Sequence, residues 1–138
     1  MEKNCVFCKI IGNEIPGISI YEDECFIAIM DIAPANKGHV IILSKSHIRD
    51  VFELDEKSAN KAMTVVQKVA HAMKKELDCD GINVLQNNGV VAGQTVFHYH
   101  IHLIPRFKDD NVKVEWKSIS YGEGEAKLLG EAIKRHII

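Results

Sequence analysis

The 138-residue sequence contains no apolar run approaching the roughly 20 residues a helix needs to cross a bilayer, and the chain therefore reads as one that does not enter a membrane. It also lacks a cationic start followed by a long apolar stretch. Met1-Glu2-Lys3-Asn4-Cys5 opens in neither way, and the expectation is a cytoplasmic protein. An excess of charge of one sign is missing too: 17 Lys and Arg stand against 19 Asp and Glu, for a formal net charge of -2. That balance predicts no affinity for nucleic acid as a polymer and leaves a single nucleotide open as a ligand. No repeat, low-complexity tract or linker interrupts the chain. It reads as one domain, residues 1–138, long enough to bury about two-thirds of its unfolded surface.

What is present begins with four cysteines: Cys5, Cys8, Cys25 and Cys79. In a secreted protein they would allow two disulfides, but in a reducing compartment the Cys-x-x-Cys spacing of the first pair suggests metal or redox chemistry. A thioredoxin-like pair would need a strand and then a helix around it, and the strand is missing here. Cys25 and Cys79 carry no such pattern and read as packing residues.

Hydrophobic periodicity predicts the elements. Cys5–Ile11 reads as a short helical piece ended by Gly12-Asn13. Ile18–Tyr21 and Cys25–Met30 form a β-hairpin, and His39–Leu43 is apolar enough to be a central strand. Between Asp55 and Asp78 apolar residues recur at three- and four-residue spacing, predicting a long amphipathic helix with His71 on its solvated side. Gly81–Gln86 returns to strand and residues 87–95 form a loop. Val112, Val114 and Trp116 alternate with charged residues and suggest a further extended piece. Ala126, Leu128, Leu129, Ala132 and Ile133 give a closing helix, with His136 capping it or meeting solvent. The fold class expected is α+β with a mainly antiparallel sheet.

The stretch that organises the chain is Phe97-His98-Tyr99-His100-Ile101-His102-Leu103-Ile104-Pro105. Its three histidines alternate with Tyr99 and Ile101, the period of a strand with one apolar and one functional face, so all three imidazoles are expected on one side. His98 and His102 would lie roughly 13 Å apart along the strand, too far for one metal ion to gather all three. Divided roles are expected. His-Tyr-His-Ile-His followed by two apolar residues resembles the signature of the histidine triad (HIT) family.

Cys5 and Cys8 can bind one zinc from a single turn, and His47 and His98 are candidates to complete a tetrahedron; the alternative is a pair of reduced core thiols. The resemblance implies zinc on Cys5, Cys8, His47 and His98, since some HIT proteins use Cys-x-x-Cys, a distant His and the first triad His. Four protein ligands make that role structural.

An imidazole that donates from one nitrogen to a backbone carbonyl presents the other as a nucleophile. The resemblance places a nucleotidyl-histidine on the middle histidine, His100. His102 and the Gly93-Gln94-Thr95 loop are expected to supply hydrogen-bond donors to the phosphoryl oxygens, and Thr95 to assist the leaving group. Further fragments match a Hint-like pattern in order: Cys-Val-Phe-Cys-Lys-Ile-Ile, Glu-Ile-Pro, Tyr-Glu-Asp, Asp-Ile-x-Pro, Gly-His-Val and Lys-Ser-His-Ile. They run from about Cys5 to Arg106. On that pattern Asp31 binds the ribose hydroxyls, Val6, Phe7 and Ile10 flank the base with Ile20 as a weaker candidate, Asn87 lies near the phosphate, and His39 supports the triad.

The resemblance thus implies a hydrolase that cuts purine nucleoside 5′-phosphoramidates or related adducts to the nucleoside monophosphate, without an organic cofactor. The alternatives are a dinucleoside polyphosphate hydrolase, a non-catalytic nucleotide- or partner-binding protein, and a hydrolase with a metal ion at the triad. A homodimer joined edge to edge through the strand after the long helix is also implied, with the segment beyond Arg106 shaping leaving-group preference.

Overall fold

In the structure, a computed structural model that describes residues 2–137, three helices and five strands form one layered arrangement around a sheet. Helix α1 (Val6–Ile11) is followed by strands β1 (Ser19–Glu22), β2 (Phe26–Met30) and β3 (Val40–Ser44). Helix α2 (Glu56–Leu77), strands β4 (Gly81–Leu85) and β5 (His100–Arg106) and helix α3 (Glu125–Lys134) complete the order. The sheet runs β1-β2-β3-β5-β4 with every pair antiparallel. The expected α+β architecture is present.

Local chemistry sets the element ends. Asp23 turns the first hairpin by accepting from the Cys25 and Phe26 N–H groups, each at 2.8 Å, which is how a short carboxylate replaces a backbone turn bond. Asp55 caps α2 by accepting from Ser58 N–H at 2.9 Å. The β3 approach turns at Gly38, whose φ of +95° and closeness to Leu77 leave no room for a Cβ.

The sheet has two unlike faces. On one, α2 lays Ala62, Val65, Val66, Val69 and Met73 over Phe26, Ala28, Val40, Ile42, Tyr99, Ile101 and Leu103. On the other, a smaller cluster of Ile27, Ile29, Ile41 and Leu43 meets Cys5, Phe7 and Cys8 of the α1 region. Burial of both faces explains why β2 and β3 read as unbroken apolar runs.

Several expectations change. The strand ladder begins at His100, so His98 lies just ahead of it, where Tyr99 N–H donates to Ile48 O at 2.6 Å. Residues 112–116 pair with no strand; Arg106 instead bonds the Val112 carbonyl at 2.6 Å and sends the chain away from the sheet. The α3 helix forms as expected, yet its apolar residues stay uncovered by the rest of the described chain. His71 and His136 are exposed.

Candidate active site and metal centre

Two groups of histidines form where α1 meets the far face of the sheet. The first joins His98 to the chain start. The buried His98 ring donates from Nε2 to the Ser44 carbonyl at 2.6 Å; a carbonyl only accepts, so the Nδ1 lone pair faces the other way. It meets Cys5 Sγ at 3.4 Å, Cys8 Sγ at 3.6 Å and His47 Nδ1 at 3.2 Å, while Cys8 Sγ lies 3.3 Å from His47 Nδ1.

These separations fit one cation. Zinc–sulfur and zinc–nitrogen bonds of about 2.3 and 2.0 Å on a tetrahedron put neighbouring ligand atoms about 3.3–3.8 Å apart. All four donor atoms lie within 4.8 Å of one another, and their spacing is that of a closed four-ligand site. Without a cation the two Nδ1 atoms would face each other with no guest between them.

The second group forms the reaction face. His100 Nδ1–H donates to the His98 carbonyl at 2.6 Å, which leaves its Nε2 lone pair for the cleft. Tautomers are passed along the neighbouring pair. Ala35 N–H donates to His39 Nδ1 at 3.0 Å, so the proton of neutral His39 is on Nε2; that N–H donates to His102 Nδ1 at 2.9 Å and places the His102 proton on Nε2. One ring offers a lone pair and its neighbour offers a donor, with centroids 5.0 Å apart.

Burial lowers the pKa of His39 and of His100, and burial with the adjacent His100 and His39 lowers His102 to about 4. All three rings are therefore neutral near pH 7. The 3.6 Å approach of Asp31 to His39 Nε2 is accordingly a contact with a neutral ring, not an ion pair. Asp31, His39 and His102 stand close enough to suggest a second metal group. The Ala35 bond argues otherwise, because it keeps the proton on the nitrogen a metal would need, and this removes support for a metal ion at the triad.

A cleft of about 400 Å³ opens on these groups. Val6, Phe7, Ile10, Asp31, Thr95, His100 and His102, all singled out in the sequence, line it. Sequence reasoning missed Ile15, Pro16, Ile29, Met30, Ile32 and Ile41. Ile29 and Ile41 share the site face of β2 and β3, but continuous apolar runs hid that alternation. Ile32 is 91% exposed and follows Asp31, a large apolar side chain in a polar loop, which is the signal that was available. Ile20 lines a different cavity with Met73 and Leu77, because β1 turns it toward the α2 side.

The 87–97 loop is built differently from expectation. Gly93 and Gln94 N–H groups close the loop on Val90 O and Gly89 O, each at 3.0 Å. The buried Gln94 side chain accepts from Gly89 N–H and donates to the Arg49 and Val96 carbonyls. Both residues shape the loop instead of offering donors to the cleft. Gly93, at φ +94°, lets Asn87 pack against it, and Asn87 is not among the cleft residues. Thr95 is exposed at the cleft wall. Asn36 secures the Asp31 loop by donating to the Pro105 carbonyl at 2.9 Å, a positioning contact with no sequence signal.

The comparisons with known proteins agree with this geometry. Residues 12–109 match the HIT domain family. "Protein hit" of Bacillus subtilis is 44% identical over 84% of this chain and 81% of its own length. "Adenosine 5′-monophosphoramidase hnt1" of Schizosaccharomyces pombe is 38% identical over 97% of this chain and 98% of its own. A crystal structure of a HIT family member from Bacillus subtilis superposes with a TM-score of 0.93 at 38% identity, covering 99% of each chain. A zinc-bound histidine triad protein from Mycobacterium smegmatis does so at 0.75 and 35% identity, over 96% of this chain and 94% of that one. With a family match over most of its length and relatives of this similarity, the chain belongs to the HIT domain family.

Proposed function

We propose that this protein hydrolyses purine nucleoside 5′-phosphoramidates, or closely related nucleotide adducts, to the nucleoside monophosphate through a covalent nucleotidyl-His100. The observation that carries the reading is the 2.6 Å bond from His100 Nδ1–H to the His98 carbonyl, which commits the Nε2 lone pair to the cleft. That lone pair attacks phosphorus, the P–N bond to the leaving group breaks, and the leaving amine takes a proton with help from Thr95. Water then attacks the phosphoramidate on His100 and releases the monophosphate. His102 Nε2–H donates to the phosphoryl oxygens, held to that task by His39. Asp31 accepts from the ribose hydroxyls, and Val6, Phe7, Ile10 and Ile32 enclose the base.

Two further facts favour a single phosphoryl centre over a polyphosphate chain. No lysine or arginine is among the described residues that line the cleft, and a relative aligned over nearly the whole chain is named for adenosine monophosphoramidase activity. Cys5, Cys8, His47 and His98 hold a structural zinc in this reading, and the ion pins α1 and the His98 segment together. The protein is read as a homodimer joined through β4, an edge strand whose Val84 is 47% exposed and whose outer side pairs with no described strand. It is one domain acting in the cytoplasm; no helix among the described residues is long and apolar enough to cross a membrane.

The test is incubation with an adenosine 5′-phosphoramidate, rapid acid-free quenching and mass spectrometry. An adenylyl adduct on the His100 peptide is expected. Steady turnover with no adduct, in wild type or in a variant with slowed second step, would falsify the covalent route.

A further inference from the structure

A second cleft, of about 420 Å³, lies beside the first and leads to the metal centre. Glu2, Asn4, Cys5, His47 and Phe97 line it, and Val6, Thr95 and Val96 are shared by both clefts. Cys5 retains 8% exposure and His47 is exposed, so the four-ligand centre has an open side. Cys5 and Cys8 are one turn apart, with Cys8 N–H 3.5 Å from Cys5 Sγ and both sulfurs inside the 4.8 Å cluster. Two thiols at Cys-x-x-Cys spacing need only a local shift to reach the roughly 2.05 Å of a disulfide.

We propose that Cys5 and Cys8 are an oxidation site: a small organic disulfide entering the outer cleft joins them, expels the metal and disassembles the nucleotide cleft. The chemistry is thiol–disulfide exchange. The Cys5 thiolate attacks one sulfur of the oxidant and releases one small thiolate; the Cys8 thiolate then attacks Cys5 Sγ and releases the other. Two electrons pass from the protein pair to the oxidant, one S–S bond breaks and one forms. The divalent cation departs from the remaining neutral imidazoles of His47 and His98.

The fold carries this event to the reaction face by two short routes. Helix α1 has six residues, and three of them, Val6, Phe7 and Ile10, line the nucleotide cleft while Cys5 and Cys8 fasten that helix to His98. Phe7 also sits edge-on to both His98 and His100, with centroids 5.9 and 5.1 Å away. The second route is the backbone: His98 offers its ring to the metal and its carbonyl to His100. Losing the cation leaves His98 Nδ1 with only His47 Nδ1, 3.2 Å away, as its partner, so the ring is held less firmly, and any rotation of His98 forfeits its bond to Ser44.

This inference rests on the nucleotide-cleft reading above but not on the leaving group. The zinc-loaded 138-residue chain is treated with oxidised glutathione, in wild type and in a Cys25→Ala/Cys79→Ala variant that keeps only the Cys5–Cys8 pair. Zinc release is followed with a chromogenic chelator, the Cys5–Cys8 peptide by mass, and binding of adenosine 5′-monophosphate by calorimetry. One equivalent of zinc released, a peptide lighter by two hydrogens and a loss of nucleotide affinity of about tenfold or more are expected, all reversed by dithiothreitol with zinc. Peptide mapping of wild type gives the answer if the double variant does not fold.

Zinc retained while free thiols are oxidised overturns the proposal, as does a Cys5–Cys8 disulfide with unchanged nucleotide affinity. A chain that takes up no zinc overturns it as well. An untreated, zinc-loaded chain that fails to bind the nucleotide overturns the cleft reading instead, and the zinc and mass readouts show which of the two has failed.

Discussion

From His98 to Leu103 successive residues face opposite environments, and five of the six are buried. Tyr99, Ile101 and Leu103 point into the carbon-rich layer under α2, where shape and apolar area decide the energy. His98 and His100 on the other side are as thoroughly buried, yet each ring has one nitrogen tied to a backbone carbonyl at 2.6 Å and the other turned to the Cys5–Cys8–His47 cluster or to the cleft. One side tolerates any arrangement that fills space; the other depends on which nitrogen holds a proton. The difference shows that burial here serves two ends: cohesion on the α2 side, and neutrality of the imidazoles on the cleft side.

The sharpest way to break that contrast is His100→Ala. Single-turnover hydrolysis of an adenosine phosphoramidate is expected to fall by at least about 10³-fold, with nucleotide monophosphate affinity kept within a few-fold. Retained turnover would leave His100 as packing, no different from its neighbours across the strand. On the carbon-rich side, Leu103→Ala should cost about 2–5 kcal/mol in denaturant unfolding, while kcat/KM of the folded fraction stays within about twofold. A large change in kcat/KM without that loss would erase the division between faces.

The smallest effect expected is in pH dependence. His39, His100 and His102 have folded pKa values below the ordinary 6.5, His102 at about 4, so the unfolded chain takes up protons first as pH falls. Their contribution to stability is complete above pH 6.5 and is lost progressively from there toward pH 4. Thermal midpoints measured between pH 7.5 and 4.5 should therefore decline on the acid side, and kcat/KM should stay level to below pH 6.5 before it drops. An apparent pKa above 6.5 for the activity would contradict neutral rings created by burial.

Much of this was legible in the chain. The alternation around His98, His100 and His102, the Cys5–Cys8 spacing and the helical period from Asp55 to Asp78 identified the sheet face, the thiol pair and the layer that covers the other side. Period and spacing are local properties, so a linear sequence displays them. What escaped depended on contacts between distant segments. Gln94 looked like a phosphate donor, but its amide is used by Gly89, Arg49 and Val96; Ile29 and Ile41 were lost in runs buried on both faces. Asn36 reaching Pro105 crosses 69 positions, and no periodicity announces such a bond. The arm beyond Arg106 showed helical spacing, and α3 does form, but nothing in the sequence said that its stripe would stay uncovered by the other described residues.

The one-residue spacing between His98 and His100, whose ring donates to the His98 carbonyl, makes this protein intolerant of length change where substitution is already restricted. One residue gained or lost between the two would turn either the thiol-facing ring or the cleft-facing ring to the far side of the sheet. Inserted residues are far less costly between Asn111 and Gly124, where no strand register is at stake. Divergence among chains of this kind should accumulate as loop and tail length downstream, while the spacing of the histidines stays constant.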